Sequence, residues 1–128
     1  MAVNSKNSNR SKGKQAEEVA ASYLESKGYT ILDRNYYFQH AEVDIVALGD
    51  DYIVFVEVKS RKNNDFGRPE EALDYVKQNN VIKAAEAWLH ERKMTGAFIR
   101  FDVIAITQED SNKTPDIRHF DNAFQPPV

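Results

Sequence analysis

Apolar residues recur at helical spacing in some parts of the chain and alternate with polar residues in others, which separates predicted helices from predicted strands. The helical spacing predicts a first helix over residues 14–26. A strand follows over 29–38, although Asp33-Arg34-Asn35 interrupts its pattern. Two further apolar runs, 41–48 and 52–59, are separated by a short turn and predict a β-hairpin.

The second half of the chain repeats the change from helix to strand. Pro69 suits the first turn of a helix, with a break expected near Asn79-Asn80. The core-facing residues of this helix share its spacing: Val81, Ile82, Ala85, Trp88 and Leu89. A dense apolar run over 97–107 predicts a fourth strand, and residues 117–120 predict a short edge strand.

The order of these elements predicts an α/β fold. Short turns between the first three strands imply an antiparallel meander, whereas the long helical connection before the fourth strand permits a parallel crossover. We therefore expect one mixed sheet, in the order helix, strand, strand, strand, helix, strand, with the helices packed on the sheet.

Length and composition are those of one globular domain. The chain has 128 residues, of which 41% are hydrophobic and 29% charged. Residues 1–11 are rich in Asn, Ser and Lys, so we expect a flexible basic arm there, a single domain over 12–121 and a C-terminal tail over 122–128. Cysteine is absent, and no apolar run reaches the roughly 18 residues of a membrane span. We expect a cytoplasmic protein with no membrane partner.

The pattern of the hairpin favours one register. With a two-residue loop at 50–51, one face is wholly apolar, and it pairs Val43 with Val58, Ile45 with Val56 and Ala47 with Val54. The other face opposes Asp44 to Glu57 and Glu42 to Lys59. A shift by one residue would mix apolar and charged positions on both faces.

Two opposed carboxylates are unusual in a purely structural hairpin. Directly opposed side chains have Cβ atoms roughly 4.5–5.5 Å apart, so Asp44 and Glu57 would repel each other. A bound Mg²⁺ or Mn²⁺ would remove the repulsion, because these ions prefer oxygen ligands. Lys59 could then neutralise a phosphate or the negative charge of an attack at phosphorus. The alternative is an exposed face with an ordinary Glu42–Lys59 pair.

Asp44, followed after a turn by Glu57-Val58-Lys59, resembles the PD-(D/E)xK nuclease signature. Further segments resemble the motifs of the YraN-like family in the same order: Gly13-Lys14 with Ala16-Glu17, Gly28-Tyr29-Thr30-Ile31-Leu32, Arg34-Asn35, Glu42-Val43-Asp44-Ile45-Val46, Val54-Phe55-Val56-Glu57-Val58-Lys59-Ser60-Arg61, Phe66-Gly67-Arg68-Pro69-Glu70-Glu71-Ala72 and Arg100-Phe101-Asp102-Val103-Ile104. The match covers roughly residues 13–106. This poorly characterised family is assigned to the restriction-endonuclease-like fold and is similar to archaeal Holliday-junction resolvases.

The resemblance implies a Mg-dependent endonuclease that hydrolyses phosphodiester bonds, with DNA, branched DNA included, or RNA as its partner. It implies that Asp44 and Glu57 hold Mg²⁺ or Mn²⁺ and that Lys59 orients water or stabilises the transition state. Glu17 matches a helix glutamate that completes such metal sites, and it is otherwise a surface glutamate. Glu42 is either a supporting group or a partner of Lys59. By analogy with resolvases, the resemblance also implies a homodimer.

Several cations follow the hairpin or lie on the second helix. Arg61, Lys62 and Arg68 could contact phosphates, and Lys77 and Lys83 could line a nucleic-acid groove. The alternative for all five is a solvated surface, since the formal net charge is only −3.

Two other groups have alternative interpretations. Tyr36, Tyr37 and Phe38 could stack on bases or could pack in the core. Asp102 could support the site from the fourth strand, or form a salt bridge with Arg100 or Arg61. The whole chain has rival interpretations as well, either a nucleic-acid-binding module of the same fold with weak or no catalysis, or a structural protein with an incidental charged hairpin.

Overall fold

The computed structural model of the chain describes residues 5–61, 73–108 and 112–126, with side chains described from Gly13 onward. The helices and strands of this part are α1 (Ser5–Ser26), β1 (Thr30–Phe38), β2 (Ala41–Gly49), β3 (Tyr52–Arg61), α2 (Tyr75–Glu91), β4 (Ile99–Thr107) and β5 (Asp116–Phe124). Their order confirms the predicted α/β fold, with β5 as the expected edge strand.

The strands form one mixed sheet in the order β1-β2-β3-β4-β5. Three neighbouring pairs are antiparallel, and β3 and β4 are parallel. The chain between β3 and β4 includes α2, because parallel strands require a crossover connection. The predicted meander and crossover are therefore both confirmed.

The two helices cover opposite faces of the sheet. The core beneath α1 comprises Ala16, Ala20, Ala21, Leu24, Ile45, Ala47, Val54, Val56, Ile104 and Ile106. The core beneath α2 is larger and includes Val43, Val46, Phe55, Phe101, Val103 and the α2 residues Val81, Ile82, Ala85, Trp88 and Leu89. Trp88 meets the Phe55 ring edge-on, with centroids 5.7 Å apart, which confirms the predicted core-facing stripe.

Helix α1 begins at Ser5, earlier than predicted. Residues 5–11, expected as part of a flexible arm, are therefore helical. Once the apolar stripe has anchored the helix, each preceding residue adds a hydrogen bond without a new nucleation cost, so a polar segment can continue it. Within the described residues, neither helix combines the length and the apolar character needed to cross a membrane.

Helix α2 begins at Tyr75. The predicted start at Pro69 lies outside the described residues. Asp74 caps the helix, and its Oδ1 accepts a hydrogen bond from the backbone N–H of Lys77 at 2.8 Å. The expected break at Asn79-Asn80 is wrong, because α2 is continuous. Asparagine costs a helix only a few tenths of a kcal/mol, and the buried stripe that follows outweighs it.

Strand β5 is longer than the predicted 117–120 and continues to Phe124, into the expected tail. The extension is explained by packing, since the Phe124 ring stacks on Phe101 with centroids 5.1 Å apart. The pattern of β5 is weak because exposed and partly buried residues mix along it, and within β5 only Phe124 is buried.

The hairpin turn has the predicted two-residue loop. Asp50 and Asp51 both have positive φ, 54° and 67°, as the tight turn that suits the twist of antiparallel strands requires. A side chain at Gly49 would collide with the Tyr29 ring, so this position needs glycine. From Gly49–Tyr52 to Ile45–Val56 the register is the predicted one.

Candidate metal centre

Strands β2 and β3 separate at Asp44. Backbone pairing between the two strands ends at Ile45–Val56. The next β3 amide directed toward β2 is that of Val58, and it donates to the side-chain Oδ2 of Asp44 at 2.8 Å. Beyond this point β2 stays paired with β1 as far as Ala41, and β3 stays paired with β4 as far as Arg61. The sheet therefore contains a cleft, defined as the gap between β2 and β3 beyond Ile45–Val56.

The cleft corrects the predicted register in its outer half. In the described strands, the expected cross-strand pairs of Asp44 with Glu57, Glu42 with Lys59 and Val43 with Val58 are not formed. Val43 belongs to the core beneath α2, whereas Ile45 belongs to the core beneath α1. Residues two apart normally share a face, so the alternation shifts at Asp44.

Three carboxylates meet at the mouth of the cleft. Glu17 of α1 and Glu42 and Asp44 of β2 each offer an oxygen, and these oxygens all lie within 4.8 Å of one another. We call these three residues the carboxylate cluster. The structure thus brings together two of the predicted metal ligands, Asp44 and Glu17, and adds Glu42, for which the sequence left two roles open.

Asn35 connects two members of the carboxylate cluster. With its amide oriented by the surrounding acceptors, its nitrogen donates to Glu42 Oε1 and to Glu17 Oε2, both at 3.0 Å. Its φ of 52° is the left-handed conformation that asparagine tolerates better than most residues. Sequence reasoning assigned Asn35 no role. The available signal was a polar residue interrupting the strand pattern.

Glu57 lies on the other side of Asp44 and is only 4% exposed. Its Oε1 is 3.4 Å from Lys77 Nζ and 3.9 Å from Lys59 Nζ. Its Oε2 is buried and accepts no hydrogen bond from a nitrogen or hydroxyl donor of the described residues. Its hydrogen-bonding neighbour is the Asp44 carboxyl, which can donate to Glu57 only while Asp44 holds a proton. A buried oxygen without a donor is costly, and a cation would compensate it.

Burial and mutual repulsion keep these carboxyls from ionising readily. Burial, followed by the charge of Glu57, raises the pKa of Asp44 to about 8, although the Val58 amide partly opposes the shift. Burial also raises the pKa of Glu57, against the opposing charges of Lys77 and Lys59. For Glu17, burial and the charge of Glu42 raise the pKa. A divalent cation would favour the ionised form of all of them.

The donor set matches a hard divalent ion. Every candidate ligand is a carboxylate, which is the preference of Mg²⁺ and Mn²⁺. Glu57 and Asp44 lie close enough to share a proton, and a cation could take the place of that proton. Glu17, Glu42, Asp44 and Glu57 are therefore the residues that could hold it.

The predicted cations have different positions. Lys59 is beside Glu57, as expected, and Lys77 contacts the same carboxylate, a contact that sequence reasoning missed because it depends on the crossover of α2. Arg61 ends β3, and Lys62 and Arg68 lie outside the described residues. Lys83 is exposed on α2.

The neighbouring aromatic residues of β1 face different ways. Tyr36 and Phe38 pack against the core beneath α2, and the Tyr36 hydroxyl donates to Glu91 Oε1 at 2.8 Å. Tyr37 is 65% exposed. Of the three aromatic residues, Tyr36 and Phe38 therefore pack in the core, and Tyr37 does not.

Asp102 is fully buried, away from the carboxylate cluster, in a network of its own. Arg100 donates to both of its oxygens, at 2.9 and 3.0 Å, and the Asn122 amide donates to Oδ1 at 3.0 Å. His119 Nε2 lies 2.7 Å from Oδ2. Of the alternatives for Asp102, the salt bridge with Arg100 is the one observed. His119 is a partner that sequence reasoning missed.

The comparisons with known proteins agree over most of the chain. The model of the uncharacterised protein family UPF0102 matches residues 16–106. A UPF0102 protein of Geotalea daltonii is 44% identical over 93% of this chain and 93% of its own length. One from Syntrophomonas wolfei is 46% identical over 91% of this chain and 99% of its own length. One from Clostridium perfringens is 39% identical over 91% of this chain and 96% of its own length. The chain belongs to the UPF0102 family, the YraN-like family that its motifs resemble.

Proposed function

We propose that this protein is a metal-dependent nuclease of the restriction-endonuclease-like superfamily that hydrolyses phosphodiester bonds in DNA. The observation that carries the proposal is the interaction of the Asp44 and Glu57 carboxyls where β2 and β3 part, with Lys59 beside Glu57. Asp44, Glu57 and Lys59 are the three functional positions of the PD-(D/E)xK signature. Branched DNA is the substrate we would test first, by analogy with the junction resolvases.

Mg²⁺ or Mn²⁺ would be held by Asp44 and Glu57 together with Glu17 or Glu42. When bound, it would supply an activated water and neutralise charge on the phosphate. The residues themselves explain why the site needs such an ion. Glu57 Oε2 is buried without a nitrogen or hydroxyl donor in the described structure, and Asp44 is 8% exposed among other acids.

Lys59 is the residue best placed to act on the reacting phosphate. Its Nζ is 3.9 Å from Glu57 Oε1, which is too long for a strong hydrogen bond, and its side chain is 27% exposed. The ammonium group therefore lies near the carboxylates without forming a close ion pair with Glu57. It can orient a water or stabilise the negative charge that develops on phosphoryl oxygens.

Lys77 fills the stronger pairing position on Glu57, at 3.4 Å. Its charge partly offsets the cost of burying Glu57, since an opposite charge nearby favours the ionised form. This division leaves Lys59 available for the substrate.

The test is a cleavage assay on four-way, flapped, single-stranded and linear DNA with Mg²⁺, Mn²⁺ or a chelator. We expect metal-dependent cleavage by the wild type and at least a 100-fold loss in Lys59→Ala, the scale of removing one charge-stabilising donor. Lys27→Ala, which removes an exposed lysine between α1 and β1, is the matched control and should cleave normally.

Two results would count against hydrolysis. Absence of cleavage of every substrate, with DNA binding retained, would support the nucleic-acid-binding module instead. Equal cleavage by Lys59→Ala and the wild type would show that Lys59 is not catalytic or that a contaminant is responsible.

A further inference from the structure

Tyr37 is an exposed aromatic side chain at the rim of the carboxylate cluster. It is paired directly with Glu42 across β1 and β2, so their Cβ atoms are roughly 4.5–5.5 Å apart on one face. Glu42 belongs to the carboxylate cluster, so the Tyr37 side chain lies beside candidate metal ligands.

The ring of Tyr37 lacks the packing that explains its neighbour. Tyr36 points to the other face, packs on the core beneath α2 and has Arg92 within 5.9 Å of its ring centroid. Tyr37 is 65% exposed and belongs to neither of the two described cores. Core packing therefore explains Tyr36 and does not explain Tyr37.

We propose that Tyr37 stacks on an unpaired base next to the phosphate at the carboxylate cluster, and so selects single-stranded or frayed nucleic acid. An exposed tyrosine ring beside candidate metal ligands is the arrangement that such stacking needs. The inference deepens the proposed nuclease function and rests on it.

The chemistry of bases explains the selectivity. Every base has a π-face, so stacking on an aromatic side chain tolerates any sequence. Inside a duplex both faces of each base are already stacked on neighbouring bases. A ring fixed at the rim of the cleft can therefore receive only a base that has left the helix, as at a flap, a junction or a single-stranded end.

The test compares the binding of a 2-aminopurine-labelled single strand and of a blunt duplex of the same sequence, with Ca²⁺ present. We expect Tyr37→Leu to weaken single-strand binding by about 5- to 100-fold and to reduce quenching of the probe. Duplex binding should change less than about twofold, since no base is available to stack. Tyr37→Phe keeps the ring and should bind like the wild type.

Phe98→Leu is the matched control. Phe98 is 72% exposed beside Tyr52, at the hairpin end of the sheet. Glu57 lies five positions along β3 from Tyr52. In a strand this corresponds to about 16 Å. Phe98→Leu should leave both binding constants unchanged, and melting temperatures of all variants would verify folding.

The outcomes separate the two proposals. If the wild type cleaves DNA but Tyr37→Leu binds the single strand as tightly as the wild type, the stacking proposal is wrong and the nuclease proposal stands. An equal loss of single-strand and duplex binding would also overturn stacking. If the wild type binds the single strand through Tyr37 but cleaves nothing, the nuclease proposal fails.

Discussion

The side-chain amide of Asn35 donates to Glu17 Oε2 at 3.0 Å, and so ties β1 to α1 at the carboxylate cluster. The same nitrogen donates to Glu42 Oε1, so Asn35 holds two candidate ligands at a defined separation. Groups of this kind orient metal ligands, and their loss typically costs 10- to 100-fold in metal affinity or activity.

Asn35→Gly should therefore weaken Mn²⁺ binding by about 10- to 100-fold. Glycine keeps the positive φ of this position without strain, so the fold should be retained. Isothermal titration with Mn²⁺ measures the change, and circular dichroism verifies the fold. An affinity equal to that of the wild type would mean that Asn35 does not position the ligands.

The metal-free protein should lose stability as the pH rises. The pKa of Asp44 is raised to about 8, so the folded state keeps a proton that the unfolded state has released. This contribution is complete below the ordinary pKa near 4, and it is lost as pH rises through about 8. We expect the free energy of unfolding, measured with urea and a chelator, to fall by at least about 1 kcal/mol between pH 5 and pH 8.

Asp44→Asn should flatten that dependence, because it removes the titrating group. Its metal-free stability should exceed that of the wild type at pH 8, while its Mn²⁺ affinity falls. A variant that retained the wild-type slope would show that the slope arises elsewhere.

Removing Asp102 should unfold or strongly destabilise the chain without touching the carboxylate cluster. Asp102→Ala leaves the largely buried Arg100 without its carboxylate, a loss of about 3–5 kcal/mol in comparable buried pairs. Urea denaturation measures it. The control is Asp116→Ala, which breaks a half-exposed pair with Arg118 and should cost less than about 1 kcal/mol.

Asp102 also affects the acid limb of stability. Burial alone would raise its pKa, but hydrogen bonds from His119, Arg100 and the Asn122 amide outweigh burial and lower it. Its contribution is therefore present above the ordinary pKa near 4 and is lost as the pH falls through the lower folded value. A wild-type stability that did not decrease below pH 4 would contradict this assignment.

Gly49→Ala should destabilise the hairpin by about 1–3 kcal/mol, the usual cost of forced overpacking. A methyl group there collides with the Tyr29 ring, whose hydroxyl accepts a hydrogen bond from Arg100 at 2.6 Å and so cannot move freely. Thermal or urea unfolding tests the prediction. Gly96→Ala, where nothing lies within 4 Å, should be neutral or stabilising.

Local patterns predicted the inner part of the site. Alternation and the two-residue turn fixed the pairing from Leu48–Ile53 to Ile45–Val56, because both faces of the sheet are buried there and a slip would be costly. The same reasoning failed beyond Asp44, because it assumes that paired strands stay paired. Here the Asp44 carboxylate accepts the backbone hydrogen bond that a paired strand would otherwise accept. The alternation of apolar and polar residues in the sequence gives no sign of this substitution.

The outer part of the site depends on three-dimensional arrangement. Glu17 was expected from the resemblance of the motifs, and without that resemblance it was a surface glutamate of a helix. The role of Asn35 requires a left-handed backbone, and the Lys77 contact requires the crossover that brings α2 over β3. Neither follows from local propensity.

The separation of β2 from β3 also has a mechanical consequence. Glu42 and Asp44 lie on a segment paired with β1, whereas Glu57 and Lys59 lie on a segment paired with β4. Among the described strands, the hydrogen bond from the Val58 amide to Asp44 is the recorded link across the opening. A change in the spacing of the candidate ligands would break no ladder hydrogen bond between the described strands beyond Ile45–Val56, and the exchange rate of the Val58 amide proton would report it.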